Sequence, residues 1–137
     1  MKASLYMETS IVSYLTARPS RDAIMAGHQI STSQWWREHR SKFDIFISQL
    51  VWDEASEGDP QAAKRRLKIL RPLRRLQIKR DASQLAKSLV GEKCFPENAE
   101  EDALHVALAT AHGMDFLLTW NFTHIANASI EKHVRCV

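Results

Sequence analysis

Short apolar segments alternate along the chain with longer segments whose apolar residues recur at helical spacing. The short segments are typical of buried strands and cover residues 3–7, 43–47, 76–79 and 115–119. Strands that alternate with helices in this way predict crossover connections between parallel strands. We therefore expect an α/β fold, with a mostly parallel sheet of four to five strands and helices on both faces.

Turn and capping residues divide the segments between these strands. Helices are predicted to start at polar caps or at a proline, which are Thr9, Ser48, Pro60 and Asp81. Residues 21–40 are expected to form another helix or a broken pair of helices. The most regular helical pattern covers residues 99–112, begins near Asn98 and Glu101, and ends at Gly113. Its predicted inward-facing residues are Ala103, Val106, Ala107 and Ala111.

Length and composition are those of an ordinary globular protein. With 137 residues, 45% of them hydrophobic and 26% charged, the chain is expected to form one domain over residues 1–137. No apolar run reaches the roughly 20 residues that span a bilayer, and the first residues do not resemble a signal peptide. Cys94 and Cys136 are too few for a disulfide framework. A cytoplasmic protein that does not contact a membrane is therefore expected.

Charge is distributed unevenly, although the net charge is only +3. Residues 61–80 contain nine basic side chains and no acid, whereas residues 97–102 contain four acids and no base. A basic segment can follow the phosphates of a nucleic acid, and an acidic cluster can hold a cation. Both segments are equally typical of solvated helix faces. The candidate RNA contacts in the basic segment are Lys64, Arg65, Arg66 and Lys68.

Polar residues follow several of the predicted strands. In a parallel sheet, ligands bind beyond the carboxyl ends of the strands, at the topological switch point. Glu8 follows the first strand, Glu54 lies in the helix after the second, and Thr119 and Asn121 follow the fourth. Asp102 lies early in the helix that leads to the fourth strand. Oxygen ligands of this kind suit Mg²⁺ or Mn²⁺, which can activate water for hydrolysis of a phosphodiester.

Three segments together resemble PIN-domain proteins. The opening segment LYMETSIVSYL resembles their first motif, in which a strand leads to an acid, then Thr-Ser, then an apolar helix. The segment DALHVALATAHGMDFLLTWN is similar to their second signature, and SQLVWDEAS corresponds to the intervening segment with its glutamate. The three occur in the family's order over nearly the whole chain. The VapC-like toxins of toxin–antitoxin pairs are the most similar members.

The resemblance implies an endoribonuclease that depends on Mg²⁺ or Mn²⁺ and is inhibited by a cognate antitoxin. Three acidic positions of the family fall on Glu8, Glu54 and Asp102, which would be catalytic and would bind metal, and the fourth falls on Asn121. The neutral ligands or supporting donors that it implies are Thr9, Ser10 and Thr119. A cytoplasmic homodimer is expected.

Several positions depart from the PIN pattern. Glu8 stands where the family usually has Asp, and Asn121 stands where it has a fourth acid. The chain ends at Val137, earlier than family members usually do, so that a truncated C-terminus is one interpretation. After a partly helical segment at 123–134, residues 135–137 could form a short fifth strand. The alternative function is a PIN-like module that binds RNA or a protein with little or no cleavage.

Histidines and tryptophans offer other interpretations. Asp102, His105 and His112 lie roughly in line on one helix, which could indicate zinc, but the spacing matches no usual zinc motif. His105 is instead expected to be packed and to orient Asp102. Trp35 and Trp36 are expected to lie in the core or a dimer interface, and stacking on RNA bases is the alternative.

Four further polar residues are weighed against the site. Asp53 and Glu54 are adjacent on a helix and point about 100° apart, so only Glu54 is assigned to the site. Asp115 precedes its strand and is expected at the opposite end of the sheet. His124 and Asn127 could contact RNA, but are more typical of a helix cap.

Overall fold

A parallel sheet with helices between its strands forms the centre of the computed structural model, which describes residues 2–91 and 99–121. The strands are β1 (Ala3–Met7), β2 (Phe43–Ser48), β3 (Arg74–Leu76) and β4 (Phe116–Leu118). The helices are α1 (Thr9–Thr16), α2 (Ala23–His39), α3 (Gln49–Ala55), α4 (Pro60–Leu70), α5 (Arg80–Gly91) and α6 (Glu100–Ala111), with a short 3₁₀ turn at Arg40–Lys42. The predicted α/β fold with a parallel sheet is confirmed. No helix in these residues is both long enough and apolar enough to span a bilayer.

Strand order places a topological switch point beside β1. The order in the sheet is β3-β2-β1-β4, and every neighbouring pair is parallel. The chain moves from β1 through β2 to β3 on one side and then crosses to β4 on the other. In such sheets a crevice opens at the carboxyl ends of two neighbouring strands whose connections lead to opposite sides of the sheet. Here those ends are Met7 of β1 and Leu118 of β4, which are paired residues.

Burial on both faces of β1 explains its apolar sequence. Leu5, Tyr6 and Met7 are consecutive and all buried, so side chains on both faces of the strand are covered. The core around them is completed by apolar residues of β2 and of the helices. These include Ile11, Val12, Ile45, Ile47, Val51, Leu70, Leu89, Val106 and Leu108.

Helix starts follow the predicted polar residues in most cases. The Ser48 hydroxyl accepts a hydrogen bond from the Val51 amide, and Pro60 begins α4, both as predicted. Asp81 lies in the first turn of α5 rather than at its cap. The predicted cap at Thr9 is wrong, because Glu8 occupies the cap position and Thr9 is the first helical residue. The Thr9 hydroxyl donates to a distant glutamate instead of to the helix backbone.

Two predicted boundaries differ from the structure. The third strand covers Arg74–Leu76 and not residues 76–79. It pairs with β2 even though it is charged, because Arg74 lies over the ring of Phe46 and Arg75 lies 4.1 Å from the ring centre of Trp52. Of the two alternatives for residues 21–40, the single helix is confirmed, with the shorter bounds Ala23–His39 of α2.

Helix α6 agrees with its pattern except at the last turn. Ala103, Val106 and Ala107 are buried, and Gly113 ends the helix with a φ of 65°. Ala111 is exposed, contrary to prediction, because it is the last residue of the helix. Three predictions lie outside the described residues: the cap at Asn98, the helix at 123–134 with His124 and Asn127, and the strand at 135–137.

The two tryptophans pack against the core as expected. Both are partly buried, and the Trp35 ring stacks on Phe43 with ring centres 6.0 Å apart. The guanidinium of Arg40 lies over Trp36, 5.4 Å from its ring centre. This packing joins α2 to the amino end of β2.

A hydrogen-bonded clamp joins β1 to β4 at the amino end of the sheet. Asp115 Oδ2 accepts hydrogen bonds from the Ser4 amide at 2.8 Å and from the Ser4 hydroxyl at 3.1 Å. The Asp115 amide donates back to the Ser4 hydroxyl at 2.9 Å. Asp115 therefore lies at the end of the sheet opposite the crevice, as predicted.

Replacing Asp115 with Ala is expected to lower the free energy of unfolding by about 1 kcal/mol, because the hydrogen bonds to Ser4 are lost. Chemical denaturation measures the change. The control is Asp44→Ala, at an exposed position of β2, where a change below about 0.5 kcal/mol is expected. An Asp115→Ala protein as stable as the wild type would contradict the clamp.

Candidate metal site

Three side chains with metal-binding atoms converge at the crevice. Glu8 follows β1, Glu54 lies in the last turn of α3, and His105 lies on α6. One ligand atom from each lies within 4.8 Å of the other two. Three elements that are distant in sequence thus bring two carboxylates and an imidazole to the carboxyl end of the sheet.

Glu8 is almost fully buried, with only 6% of the residue exposed. Its Oε1 atom accepts hydrogen bonds from the Ser10 hydroxyl at 2.5 Å and from the Thr119 hydroxyl at 2.6 Å. The Glu8 amide donates to the carbonyl of Leu118 at 3.1 Å, which continues the pairing of β1 with β4. A buried carboxylate is costly without donors. The two hydroxyls meet that requirement and fix the direction of the carboxylate.

Glu54 is held by donors from two other helices. Its Oε1 atom accepts from the Thr9 hydroxyl at 2.5 Å and lies 2.7 Å from His105 Nε2. Burial alone would raise its pKa, but hydrogen bonds from His105 and from the Thr9 hydroxyl outweigh that effect and lower the pKa to about 2. Glu54 is therefore an anion at neutral pH.

His105 is packed, as predicted, but its ring nitrogens contact residues that the sequence did not indicate. Only 1% of the residue is exposed, and Nδ1 lies 2.6 Å from the Tyr6 hydroxyl. Nε2 faces Glu54, so the two ring nitrogens are hydrogen-bonded to Tyr6 and Glu54. These bonds give no support to the expected role of His105 in orienting Asp102. His112 lies at the far end of α6, where its Nε2 donates to the carbonyl of Gln77 at 3.0 Å. A zinc site built on both histidines therefore gains no support.

The first turn of α6 adds two more acids at the rim. Asp102 lies three residues before His105 and hence on the same face of the helix, although the converging group of described residues does not include it. The carboxyl of Glu101 hydrogen-bonds to Glu54 and faces its negative charge, and both effects raise the pKa of Glu101. From the sequence, Glu101 was assigned to the start of the helix and to the acidic cluster at 97–102, but not to the site.

The exit of β4 is tied to the start of α1 by backbone donors. The Trp120 amide donates to the Ser10 hydroxyl, and the Asn121 amide donates to the Thr119 hydroxyl, both at 2.9 Å. Ser10 and Thr119 thus each accept from the backbone of this exit and donate to Glu8. Asn121 follows at the rim of the same crevice.

The donor set fits a hard divalent cation. It consists of two carboxylates fixed by hydroxyl groups, with further acids at the rim. Carboxylate oxygens are the protein ligands that Mg²⁺ and Mn²⁺ prefer. Glu101 also hydrogen-bonds to Glu54, so two carboxyls lie close together at the rim, and a divalent cation would offset their repulsion.

No protein-family model matches the sequence, and no curated protein matches it either. Among solved structures, the chain is similar to the crystal structure of VapC20 from Mycobacterium tuberculosis, a toxin that cleaves the sarcin–ricin loop. The similarity covers 93% of this chain and 98% of VapC20, with a TM-score of 0.68 and 18% sequence identity. The chain has the VapC-like PIN fold. The resemblance drawn from the three sequence segments is thus confirmed at the level of the fold.

Within this VapC-like fold, the candidate RNA contacts on α4 divide into two kinds. Arg65 Nε donates to the carbonyl of Thr16 at the end of α1, at 3.3 Å. Arg66 donates to the carbonyls of Ala55 and Glu57 at the end of α3, at 3.0 and 2.7 Å. Both arginines therefore donate to backbone carbonyls at the ends of neighbouring helices. The pattern of charges along the sequence could not indicate these contacts. Lys64 and Lys68 are exposed on the same helix.

Asp53 and a neighbouring cavity complete the surroundings of the site. Asp53 is exposed and accepts from the Gln49 amide group at 2.8 Å, so it points away from the site, as predicted. A cavity of about 240 Å³ lies beside Thr119, and the rings of Trp35 and Trp120 form part of its wall. Thr119 thus separates this cavity from Glu8.

Replacing Thr119 with Val is expected to weaken Mn²⁺ binding by roughly tenfold, because Glu8 loses one of the donors that fix its carboxylate. Isothermal titration calorimetry measures the affinity. Thr110→Val is the matched control, because the Thr110 hydroxyl donates only to the Val106 carbonyl within α6 in the described structure. Equal Mn²⁺ affinity in the two variants would contradict a metal-orienting role for Thr119.

Proposed function

We propose that this protein is a Mg²⁺- or Mn²⁺-dependent endoribonuclease that acts as the toxin of a toxin–antitoxin pair. The observation that carries the proposal is the convergence of Glu8 and Glu54 at the switch point of a VapC-like PIN fold. The similar structure, VapC20, is a toxin that cleaves an RNA loop. We extend RNA cleavage to this chain because the same fold here carries a donor set that suits the metal chemistry of phosphodiester hydrolysis.

Glu8 and Glu54 would hold the metal ion, with Asp102 and Asn121 as further ligands from the rim. The bound ion would supply an activated water and stabilise charge on the phosphate. Thr9, Ser10 and Thr119 keep the two inner carboxylates in fixed directions through the hydrogen bonds described above. This support matters because metal sites lose affinity when their ligands are poorly oriented.

The contact of Glu101 with Glu54 places a further carboxyl beside the two inner glutamates. The hydrogen bond to Glu54 and the negative charge of Glu54 both raise the pKa of Glu101. A divalent cation bound here would offset the repulsion between these carboxylates. Glu101 is accordingly added to the proposed site as a rim residue.

RNA is the proposed substrate, and α4 is the proposed contact for its phosphates. Lys64 and Lys68 are the side chains of this helix assigned to RNA, since Arg65 and Arg66 bind helix-end carbonyls. A cognate antitoxin, a homodimeric state, a cytoplasmic location and a single domain over residues 1–137 belong to the same proposal.

A second function is favoured by one observation. The fourth acidic position of the family is Asn121, which brings an oxygen but no negative charge to the rim. A PIN-like module that binds RNA or a partner protein with little cleavage is therefore the alternative. Cleavage of RNA by the wild type that is lost in a Glu54 variant would support the ribonuclease and exclude the binding module.

Replacing Glu54 with Gln is expected to reduce Mg²⁺-dependent RNA cleavage by roughly 100-fold or more, because a charged metal ligand is lost. A gel assay on labelled RNA measures the rate. Asp53→Asn is the matched control, since Asp53 is adjacent, exposed and hydrogen-bonded to Gln49. Equal activity of the two variants would contradict the proposal, and wild-type protein that binds Mn²⁺ but leaves RNA intact would favour the binding module.

Asp102→Asn tests the rim in the same assay. A comparable loss is expected if Asp102 completes the metal site, with thermal stability near the wild-type value because Asp102 lies outside the buried core. Glu101→Gln is measured in the same cleavage assay for comparison. If Asp102→Asn keeps full cleavage activity and Glu101→Gln loses it, Glu101 and not Asp102 is the metal ligand at the rim.

Reversing Lys64 and Lys68 to Glu is expected to weaken RNA binding and to reduce its dependence on salt by about one unit of slope for each lost phosphate contact. Binding is measured by fluorescence anisotropy across a salt series. Reversal of Lys2 and Lys87 changes the net charge by the same amount away from α4 and is the control. An unchanged salt dependence in the α4 variant would indicate that these lysines lie on a solvated helix face and do not contact RNA.

A further inference from the structure

A buried chain of hydrogen bonds leads from the start of α3 to Glu54. The Ser48 hydroxyl lies 2.8 Å from the Tyr6 hydroxyl, which lies 2.6 Å from His105 Nδ1. His105 Nε2 then lies 2.7 Å from Glu54 Oε1. Ser48, Tyr6 and His105 are each at most 1% exposed.

The direction of each bond follows from what each group can donate. Glu54 Oε1 already accepts from the Thr9 hydroxyl and acts as an acceptor, so the hydrogen between it and His105 belongs to Nε2. At the other end, Ser48 Oγ already accepts from the Val51 amide, so its own hydrogen is free to point to the Tyr6 oxygen. Burial raises the pKa of the Tyr6 hydroxyl far above its ordinary value, so Tyr6 keeps its proton and donates it to Nδ1.

This assignment decides between two roles for His105. Its Nε2 atom lies close enough to both carboxylates to join them as a metal ligand. A nitrogen that carries a hydrogen has no lone pair to offer a cation, and the other nitrogen is engaged by Tyr6. As a ligand, His105 would have to reverse the bonds to Tyr6 and Ser48, and Glu54 would lose its donor.

We propose that Tyr6 and His105 are positioning residues, in which Tyr6 fixes the imidazole with its hydrogen on Nε2 and His105 fixes Glu54 as the metal ligand. The inference rests on the proposed metal site. The bonds from Thr9 and from His105 both fall on Oε1, so that one oxygen of the carboxylate is fixed by two side chains. Tyr6 acts on the metal through two side chains and does not touch it.

The consequence of losing the Tyr6 hydroxyl follows from the two tautomers of imidazole. Without a donor at Nδ1, the hydrogen can move to that nitrogen. The lone pair of Nε2 would then face the Glu54 carboxylate across 2.7 Å, which is repulsive. Glu54 would leave its present position, and the metal site would lose its orientation.

The first test reads the tautomer directly. Nitrogen NMR of the full chain with ¹⁵N-labelled histidine, without metal and with Mg²⁺, separates protonated from unprotonated ring nitrogens. His105→Gln identifies the His105 signals among the six histidines. The expected result is a hydrogen on Nε2 and a bare Nδ1 in both conditions. A bare Nε2, loss of its hydrogen on addition of Mg²⁺, or hydrogens on both nitrogens would overturn the proposal.

The second test uses Tyr6→Phe, which removes only the hydroxyl. Mn²⁺ affinity measured by calorimetry is expected to fall about tenfold, with a mixture of His105 tautomers in the NMR spectrum. Ser4→Ala is the matched control, because it removes a hydrogen-bonded hydroxyl from the opposite end of β1. It is expected to lose stability and keep its Mn²⁺ affinity. Unchanged affinity and a single tautomer in Tyr6→Phe would overturn the proposal.

The two tests separate this inference from the proposed function. If Tyr6→Phe does not fold, the His105 tautomer measured in the wild-type protein still tests the proposed positioning role. If the wild type binds neither Mg²⁺ nor Mn²⁺, the proposed function fails, whereas the metal-free NMR spectrum still shows whether Tyr6 and His105 hold Glu54 as described.

Discussion

The parallel pairing of β1 with β4 is the contact on which the rest of the site depends. It places the carboxyl ends of both strands side by side, so that Glu8 and Thr119 meet although they lie 111 positions apart. Because β2 lies on the other side of β1, the chain reverses direction across the sheet at this point. The crevice that results is a property of the strand order, and the polar side chains occupy it because their strands end there.

Burying carboxylates costs free energy in this crevice, and hydrogen bonds from hydroxyl groups offset that cost. Thr9, Ser10 and Thr119 each donate to a glutamate from a position just beyond a strand. Charge-assisted hydrogen bonds of this kind are stronger than neutral ones, and short side chains lose little entropy when they are fixed. Among the described residues, hydroxyl groups hold the buried Glu8 carboxylate without a salt bridge to a basic side chain.

Local patterns predicted the parts of the structure that local forces decide. The buried strands β1 and β2, the cap at Ser48 and the end of α6 at Gly113 all follow from nearest-neighbour sequence. The third strand was misplaced because its charged residues gain their stability from rings on another strand and helix, which no local pattern records.

Within the site, the sequence indicated Glu8 and Glu54, whose convergence needs only the strand order. It did not indicate the bonds of His105 to Tyr6 and Glu54, or the contact of Glu101 with Glu54. These depend on the rotation of α6 against the sheet. A one-residue difference in that rotation would exchange Glu101, Asp102 and their neighbours at the rim, and a sequence pattern does not resolve it.

The span between Glu8 and Thr119 has a consequence during synthesis. A chain emerges from the ribosome N-terminus first, at roughly 5–20 residues per second, and its early elements fold before its last ones. β1 can pair with β2 and β3 while β4 is still unmade, but Glu8 then has no hydroxyl from Thr119 above it. The nascent protein would therefore pass through most of its folding with an unfinished site. Any activity centred on Glu8 would therefore begin only after β4 has been made and has paired with β1.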